Sequence, residues 1–141
     1  MSNIALELIR TTSGSVNPTD AVVFDTVLYL SGNISYNDTT GTITFQENGR
    51  YIVNWWVTVQ TSLSIGGITF ALSSDSGDCI RGSSSGKSGQ VNGFGIILVD
   101  SLPDSTTEVN LENAGTSIAF YGSGLMVTAS LLIVQDDIVS P

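Results

Sequence analysis

The residue types that carry most protein chemistry are scarce in this chain of 141 residues, which has no histidine and one cysteine, Cys79. Without histidine there is no Ser-His-Asp or Cys-His arrangement, and the commonest zinc ligand is missing. A lone cysteine excludes intrachain disulfides and Cys-cluster metal sites. The one Ser-x-x-Lys spacing, Ser84-Ser85-Gly86-Lys87, has no supporting motif around it. We therefore expect a protein that is not an enzyme, with no catalytic residue and no cofactor.

Four aspartates are the remaining candidates for metal binding. Asp75 and Asp78 share a Ser/Gly-rich segment, and Asp100 and Asp104 flank Ser101-Leu102-Pro103. Carboxylates spaced three or four residues apart in a loop can be brought together around calcium, which prefers oxygen ligands. No twelve-residue calcium-loop pattern is present, so solvated turn residues are the favoured interpretation and no metal site is predicted. Calcium binding at these aspartates stays an open alternative.

The charge balance excludes several classes of partner. The chain has 4 Lys and Arg against 13 Asp and Glu, a net charge of −9, which would repel a phosphate backbone. It has no basic cluster for an anionic membrane surface, no apolar stretch long enough to span a bilayer, and no secretory-signal pattern at its N-terminus. We expect neither nucleic-acid binding nor membrane insertion.

Charged residues make up only 12% of the chain, against about 25% in a typical domain. This deficit indicates a surface rich in hydroxyl side chains, a surface partly covered by other copies of the chain, or both.

Tyr121, beside Gly122-Ser123-Gly124, is the single loop aromatic that fits a glycan-binding platform. It supports an alternative function, a ligand-binding module such as a lectin-like or receptor-binding jelly roll, including the tip of a phage tail fibre. A tyrosine at the end of a strand explains the same residue equally well.

The elements that position these residues are predicted to be strands. Val, Ile and Thr total 41 residues, and such β-branched side chains suit a pleated, half-buried surface. Turn signals such as Asn17-Pro18, Asn48-Gly49 and Ser123-Gly124 separate about ten short β-compatible runs. The sequence therefore predicts one all-β domain over residues 1–141, a sandwich or jelly roll. Ser73 to Gly93, rich in Ser and Gly, is predicted to be a long exposed connection.

Two predicted strands are apolar on both faces. Tyr51 to Val59 and Val127 to Val134 carry large apolar residues at consecutive positions. A sandwich strand has one core-facing side, so a second apolar side needs another cover. A neighbouring subunit is the simplest cover, and a loop of the same chain is the alternative.

Several motifs in order resemble the globular-head family of complement component 1q. They are Phe24-Asp25-Thr26-Val27-Leu28, Tyr36 with Thr40-Gly41-Thr42-Ile43, Phe45, Gly49-Arg50-Tyr51 with alternate aromatics after it, and Ala129-Ser130-Leu131-Leu132-Ile133-Val134. The resemblance implies a ten-strand jelly roll like tumour necrosis factor, assembled as a homotrimer. The Ser/Thr/Gly-rich, cysteine-poor style is similar to bacterial members at the C-termini of collagen-like glycoproteins on the spore surface, the exosporium.

Such a member would be a structural and adhesive head, with its collagen-like stalk outside this chain and host or surface molecules as possible partners. In this family one side of the inner sheet packs the core and the other meets neighbouring subunits. By this resemblance Tyr51, Val53, Trp55, Leu131 and Ile133 belong to the core. The residues predicted to face neighbouring subunits are Ile52, Asn54, Trp56, Leu132 and Val134, with Ile4, Leu6 and Met126 as weaker candidates.

Overall fold

The computed structural model describes residues 4–60, 67–75, 79–84, 88–101, 105–122 and 126–136. All regular secondary structure in these ranges is β-strand, and they contain no helix that could cross a membrane. The strands are β1 (Ala5–Arg10), β2 (Ser15–Val16), β3 (Thr26–Ser31), β4 (Ile34–Tyr36), β5 (Ile43–Phe45), β6 (Gly49–Gln60), β7 (Ile68–Ser74), β8 (Cys79–Ser84), β9 (Ser88–Val99), β10 (Thr107–Asn113), β11 (Ala119–Tyr121) and β12 (Ala129–Gln135). The predicted all-β class is confirmed.

The strands form two antiparallel sheets that pack face to face as a jelly-roll sandwich. The first sheet has the order β2-β11-β6-β12-β1-β3, and β9 pairs with the other edge of β6. The second sheet has the order β4-β5-β10-β7-β8. The described residues contain twelve strands rather than the predicted ten, because the short strands β2 and β11 extend the first sheet beside β6.

Alternate residues of both sheets fill one core. Tyr51, Val53 and Trp55 of β6 and Leu131 and Ile133 of β12 are fully buried, which confirms the predicted core residues. The second sheet contributes the buried residues Ile43, Phe45, Phe70, Leu72 and Leu111.

The prediction of a long exposed connection from Ser73 to Gly93 is wrong, since β8 and the first half of β9 lie within it. Two of the glycines in this segment allow close packing and do not mark a flexible loop. A Cβ atom at Gly93 would overlap the indole ring of Trp55, and one at Gly82 would overlap the backbone carbonyl of Asn92. These strands approach the buried tryptophan closely because they lack side chains at these positions.

Phe24, in the motif that the sequence analysis singled out, connects the segment before β3 to the end of β4. Phe24 is buried, its backbone N–H donates to the phenolic oxygen of Tyr36 at 2.6 Å, and that hydroxyl donates back to the Phe24 carbonyl at 2.9 Å. Burial is the main cause that raises the pKa of Tyr36 to about 12. The motif therefore fixes the start of β3 against the end of β4.

The neighbouring carboxylate of Asp25 ties the end of β1 to the start of β3. It accepts hydrogen bonds from the backbone N–H and hydroxyl of Thr11, and from the hydroxyls of Thr12 and Thr26, at 2.8–3.1 Å. Burial would raise the pKa of Asp25, but these four hydrogen bonds outweigh it and hold the pKa below its ordinary value of 3.8.

Candidate assembly surface

The side of the first sheet that faces away from the core is largely apolar. Alternate residues of β6, β9 and β12 point to this side, because the residues between them are buried in the core. Seven large apolar residues on these three strands form what we call the apolar face: Ile52, Trp56, Phe94, Ile96, Leu98, Leu132 and Val134.

Strand pairing places these side chains in adjoining rows. Val134 pairs with Ile52, which in turn pairs with Ile96, so one row across the three strands is apolar throughout. The next row contains a single polar residue, Asn54, between two apolar ones. Neighbouring side chains in such rows are in contact range, so the apolar face is a continuous surface rather than scattered residues.

The apolar face is open to solvent in the isolated chain. Phe94 is 73% exposed, Ile96 54% and Leu132 39%, while Ile52 and Trp56 are partly covered. Single exposed apolar residues are common on proteins, but a contiguous patch of this kind marks a surface that binds something.

Few charged groups share this side of the sheet. At one end of β6, the Arg50 guanidinium forms an ion pair with Asp136 at 3.3 Å and donates to the Asp136 carbonyl at 3.0 Å. On β1, the half-buried Glu7 pairs with Leu132 of β12. Its carboxylate makes no hydrogen bond or ion pair with any residue that the structure describes. Removal of water from the apolar face therefore desolvates few charged groups, and Glu7 is the group for which the desolvation cost is not offset by a partner in the described residues.

The structure brings together the five main residues that the sequence predicted for contact with neighbouring subunits. Ile52, Asn54, Trp56, Leu132 and Val134 all lie on the outward side of β6 and β12. Contact between these residues and another subunit remains a prediction.

Two of the weaker candidates are wrong. Ile4 and Leu6 are buried within the sandwich core and cannot meet a neighbouring subunit. They alternate with Ala5 and Glu7, and it is this second pair that faces outward. Met126 is almost fully exposed near the start of β12, beyond the rows of the apolar face, and its role remains a prediction.

The most exposed part of the apolar face escaped the sequence reasoning. Phe94, Ile96 and Leu98 lie on β9, directly after the segment that was predicted to be an exposed connection. A usable signal was present, since these residues alternate with Gly93, Gly95 and the buried Ile97. That period of two is the mark of a strand with two different sides.

Tyr121 is not the exposed platform that a glycan site would need. Its ring is buried, and the Arg10 guanidinium lies 4.1 Å from the ring centroid. Burial raises the pKa of Tyr121 to about 12. Arg10 also donates to the carbonyls of Thr12, Ser13 and Val23, so the pair serves to hold loops at this end of the sheet. The alternative of a glycan-binding module thus loses its aromatic candidate.

Two of the four aspartates considered for calcium lie in the described part of the chain. Asp75 follows β7, where its backbone N–H donates to the Glu108 carbonyl at 3.0 Å, and Asp100 is exposed after β9. Asp78 and Asp104 lie outside the described residues. No group of three or more His, Cys, Asp or Glu side chains placed to hold a metal occurs among the residues described.

Comparison with known proteins supports the fold. No protein-family model and no curated protein matches the chain. The solved globular domain of zebrafish complement 1qA matches with a TM-score of 0.65 and 15% identity, covering 98% of this chain and 99% of that one. Eiger TNF from S. frugiperda matches with a TM-score of 0.70 and 11% identity over 100% of this chain and 98% of that chain.

Murine APRIL, solved at pH 8.0, matches with a TM-score of 0.65 and 13% identity, covering 95% of this chain and 99% of that one. Likeness at such low identity, over nearly the whole of each chain, concerns the arrangement of the strands. The chain has the jelly-roll fold of the complement 1q globular domain and of the tumour-necrosis-factor proteins.

Proposed function

We propose that this chain is the non-enzymatic, trimer-forming head of a bacterial collagen-like surface protein of the spore exosporium. Three copies associate through the apolar face and hold three chains in register, so that a collagen-like stalk can wind beside them. The sides left uncovered present a polar, acidic surface with a structural and adhesive role.

The observation that carries this proposal is the uncovered apolar face. Removing apolar surface from water is favourable by roughly 25 cal/mol per Å², and a stable interface buries about 800 Å² on each partner. A side of a sheet that is apolar across three adjacent strands is the natural centre of such an interface. Trp56 is the strongest single candidate there, because tryptophan is enriched among the residues that dominate binding energy.

The number of copies rests on the fold and on the sequence resemblance. The apolar face gives a physical reason for association and sets no stoichiometry. The complement 1q resemblance implies a homotrimer, and the jelly-roll arrangement agrees with that resemblance. Closed cyclic assemblies of identical chains satisfy every copy equally, and a trimer is one of these.

The ends of the sandwich suit a stalk on one side. The backbone N–H of Gln135 donates to the Ile4 carbonyl at 2.9 Å. The start of the first strand, β1, therefore lies beside the end of the last strand, β12. Ile4, where the described chain begins, lies at the Val134 end of the apolar face. In a cyclic trimer the three copies of Ile4 would lie at the same end of the assembly, where a stalk could join them.

Placement on the exosporium rests on the Ser/Thr/Gly-rich style of the sequence. Labelling of intact spores with an antibody against this head tests it. Label confined to the outermost layer supports the placement, and label confined to the spore interior contradicts it.

Replacement of Trp56 tests the assembly surface itself. Trp56→Ala should weaken trimer formation at least about tenfold, because it removes the largest side chain of the apolar face. Ile118→Ala is the matched control, since Ile118 is also an exposed apolar residue but lies outside the apolar face. Light scattering over a dilution series measures both. Trp56→Ala that stays trimeric to the same dilution as wild type would contradict the proposal.

A further inference from the structure

A single carboxylate stands at the border of the apolar face. Glu7 lies in the middle of β1, where it pairs with Leu132 of β12 on one side and with Tyr29 of β3 on the other. It points to the outward side of the sheet, because Leu6 and Leu8 on either side of it are fully buried. A partner that covers Leu132 would therefore lie directly beside Glu7.

No cation of the described part of this chain lies beside this carboxylate. The outward residues nearest to it are Ala5 and Ile9 on its own strand, Leu132 on β12 and the titratable phenol of Tyr29 on β3. The closest cation across the sheet is Arg50, which Asp136 already pairs. Arg50 lies two strands across and four residues along from Glu7, about 16 Å at ordinary strand spacings.

The other cations are also placed elsewhere. The chain has only four Lys and Arg residues. Arg10 is held over the Tyr121 ring and by loop carbonyls, and Arg81 is exposed on the second sheet. Lys87 lies outside the described residues. A neighbouring copy of this chain therefore has few charges with which to compensate a covered Glu7.

We propose that assembly of the head is coupled to protonation of Glu7, so that acidic solution favours the assembled form. This inference rests on the proposed function, in which further copies cover the apolar face. Covering the face removes water from the carboxylate, and the charged form loses far more hydration energy than the neutral acid. The assembled chain therefore binds more protons than the separated chain, and its association strengthens as pH falls.

The size of the effect follows from the symmetry. A trimer covers three copies of Glu7 and takes up as many as three protons. Its association constant can then change by up to about 1000-fold per pH unit, which moves the half-assembly concentration by up to about 30-fold.

Sedimentation equilibrium of the 141-residue chain at pH 5 and pH 8 tests the proposal, on wild type, Glu7→Gln and Glu108→Gln. Glu108 is the matched control, because it is an exposed carboxylate on the second sheet. If the trimer stays intact at every measurable concentration, the guanidinium midpoint of its dissociation replaces the half-assembly concentration. Wild type and Glu108→Gln should assemble more strongly at pH 5 than at pH 8. Glu7→Gln should lose most of this difference and assemble at pH 8 at least as strongly as wild type.

Three outcomes would overturn the proposal. Equal pH dependence in Glu7→Gln and wild type would show that other groups take up the protons. Weaker assembly of Glu7→Gln at pH 8 would show that the carboxylate accepts a bond from a neighbouring subunit. In both cases the trimer itself would stand. A chain that is monomeric at both pH values would instead remove the proposed function and this inference with it.

Discussion

The two sheets of the sandwich differ most on the sides that face away from the core. On the first sheet that side carries the apolar face, where Phe94 and Ile96 are largely exposed. On the second sheet the same positions hold short polar and acidic residues, among them Thr44, Ser73 and Glu108. Both sheets send alternate residues into one shared core, so sandwich packing does not require the difference.

This difference indicates which side of the molecule can be removed from water at a gain in free energy. The outward side of the second sheet is suited to contact with solvent, since exposed hydroxyl and carboxylate groups can hydrogen-bond to water. The outward side of the first sheet gains free energy only when something covers it. The proposed function accordingly uses the first sheet for assembly and leaves the second sheet in contact with the surroundings.

The largest predicted effect is a loss of folding stability, and it compares an inward-facing and an outward-facing residue of β9. Gly93→Ala should lower the free energy of unfolding by about 3 kcal/mol, because the added methyl group overlaps the Trp55 ring. Phe94→Ala, one residue further and on the outward side, should leave the fold intact and weaken assembly instead. Denaturant unfolding and light scattering distinguish the two results. Wild-type stability in Gly93→Ala would show that the core around Trp55 is looser than described.

The next effect compares the two outward sides directly. Ile96→Asp places a carboxylate in the fully apolar row of the first sheet, and should abolish the trimer at micromolar concentration, because the charge must be desolvated. Ser83→Asp places the same carboxylate on the exposed outward side of the second sheet, and should leave the trimer intact. Size-exclusion chromatography with light scattering reads both. Equal behaviour of the two variants would remove the distinction between the sheets.

The smallest effect concerns the carboxylate at the end of β1. The pKa of Asp25 is lowered in the folded chain, so the stability it adds is present at neutral pH and is lost as pH falls through that lowered pKa. Asp25→Asn should cost about 1 kcal/mol at pH 7, a modest value because the group is largely exposed. The cost should shrink as the pH falls through that lowered pKa, and it should vanish once the carboxyl group is protonated in both the folded and the unfolded chain. Urea unfolding at several pH values measures it, with Glu108→Gln as the control.

Part of this architecture was readable from the sequence for a simple physical reason. Along Tyr51 to Val59 large apolar residues occupy consecutive positions, which in a strand places them on both sides of the sheet. The burial of Tyr51, Val53 and Trp55 confirms the parity assigned to that strand. The Gly49-Arg50-Tyr51 motif and the Ala129 to Val134 motif of the resemblance lie on β6 and β12, which pair with each other in the first sheet.

The parts that could not be read have physical causes too. β9 was not predicted as a strand because it contains Gly93 and Gly95, and glycine is depleted in strands. The structure explains these glycines, since Trp55 packs against Gly93 and Ile80 against Gly95. Ile4 and Leu6 were placed outward although Glu7 shares their strand. Strict alternation along the strand places Glu7 on the outward side and therefore places Ile4 and Leu6 in the core.

The central claim is that the apolar face is covered by further copies of the chain, and the molar mass of the 141-residue chain in dilute solution tests it most directly. Light scattering at micromolar concentration should give about 44 kDa, three times the chain mass of 14.8 kDa. A mass near 15 kDa that persists at pH 5 and at high concentration would contradict the claim.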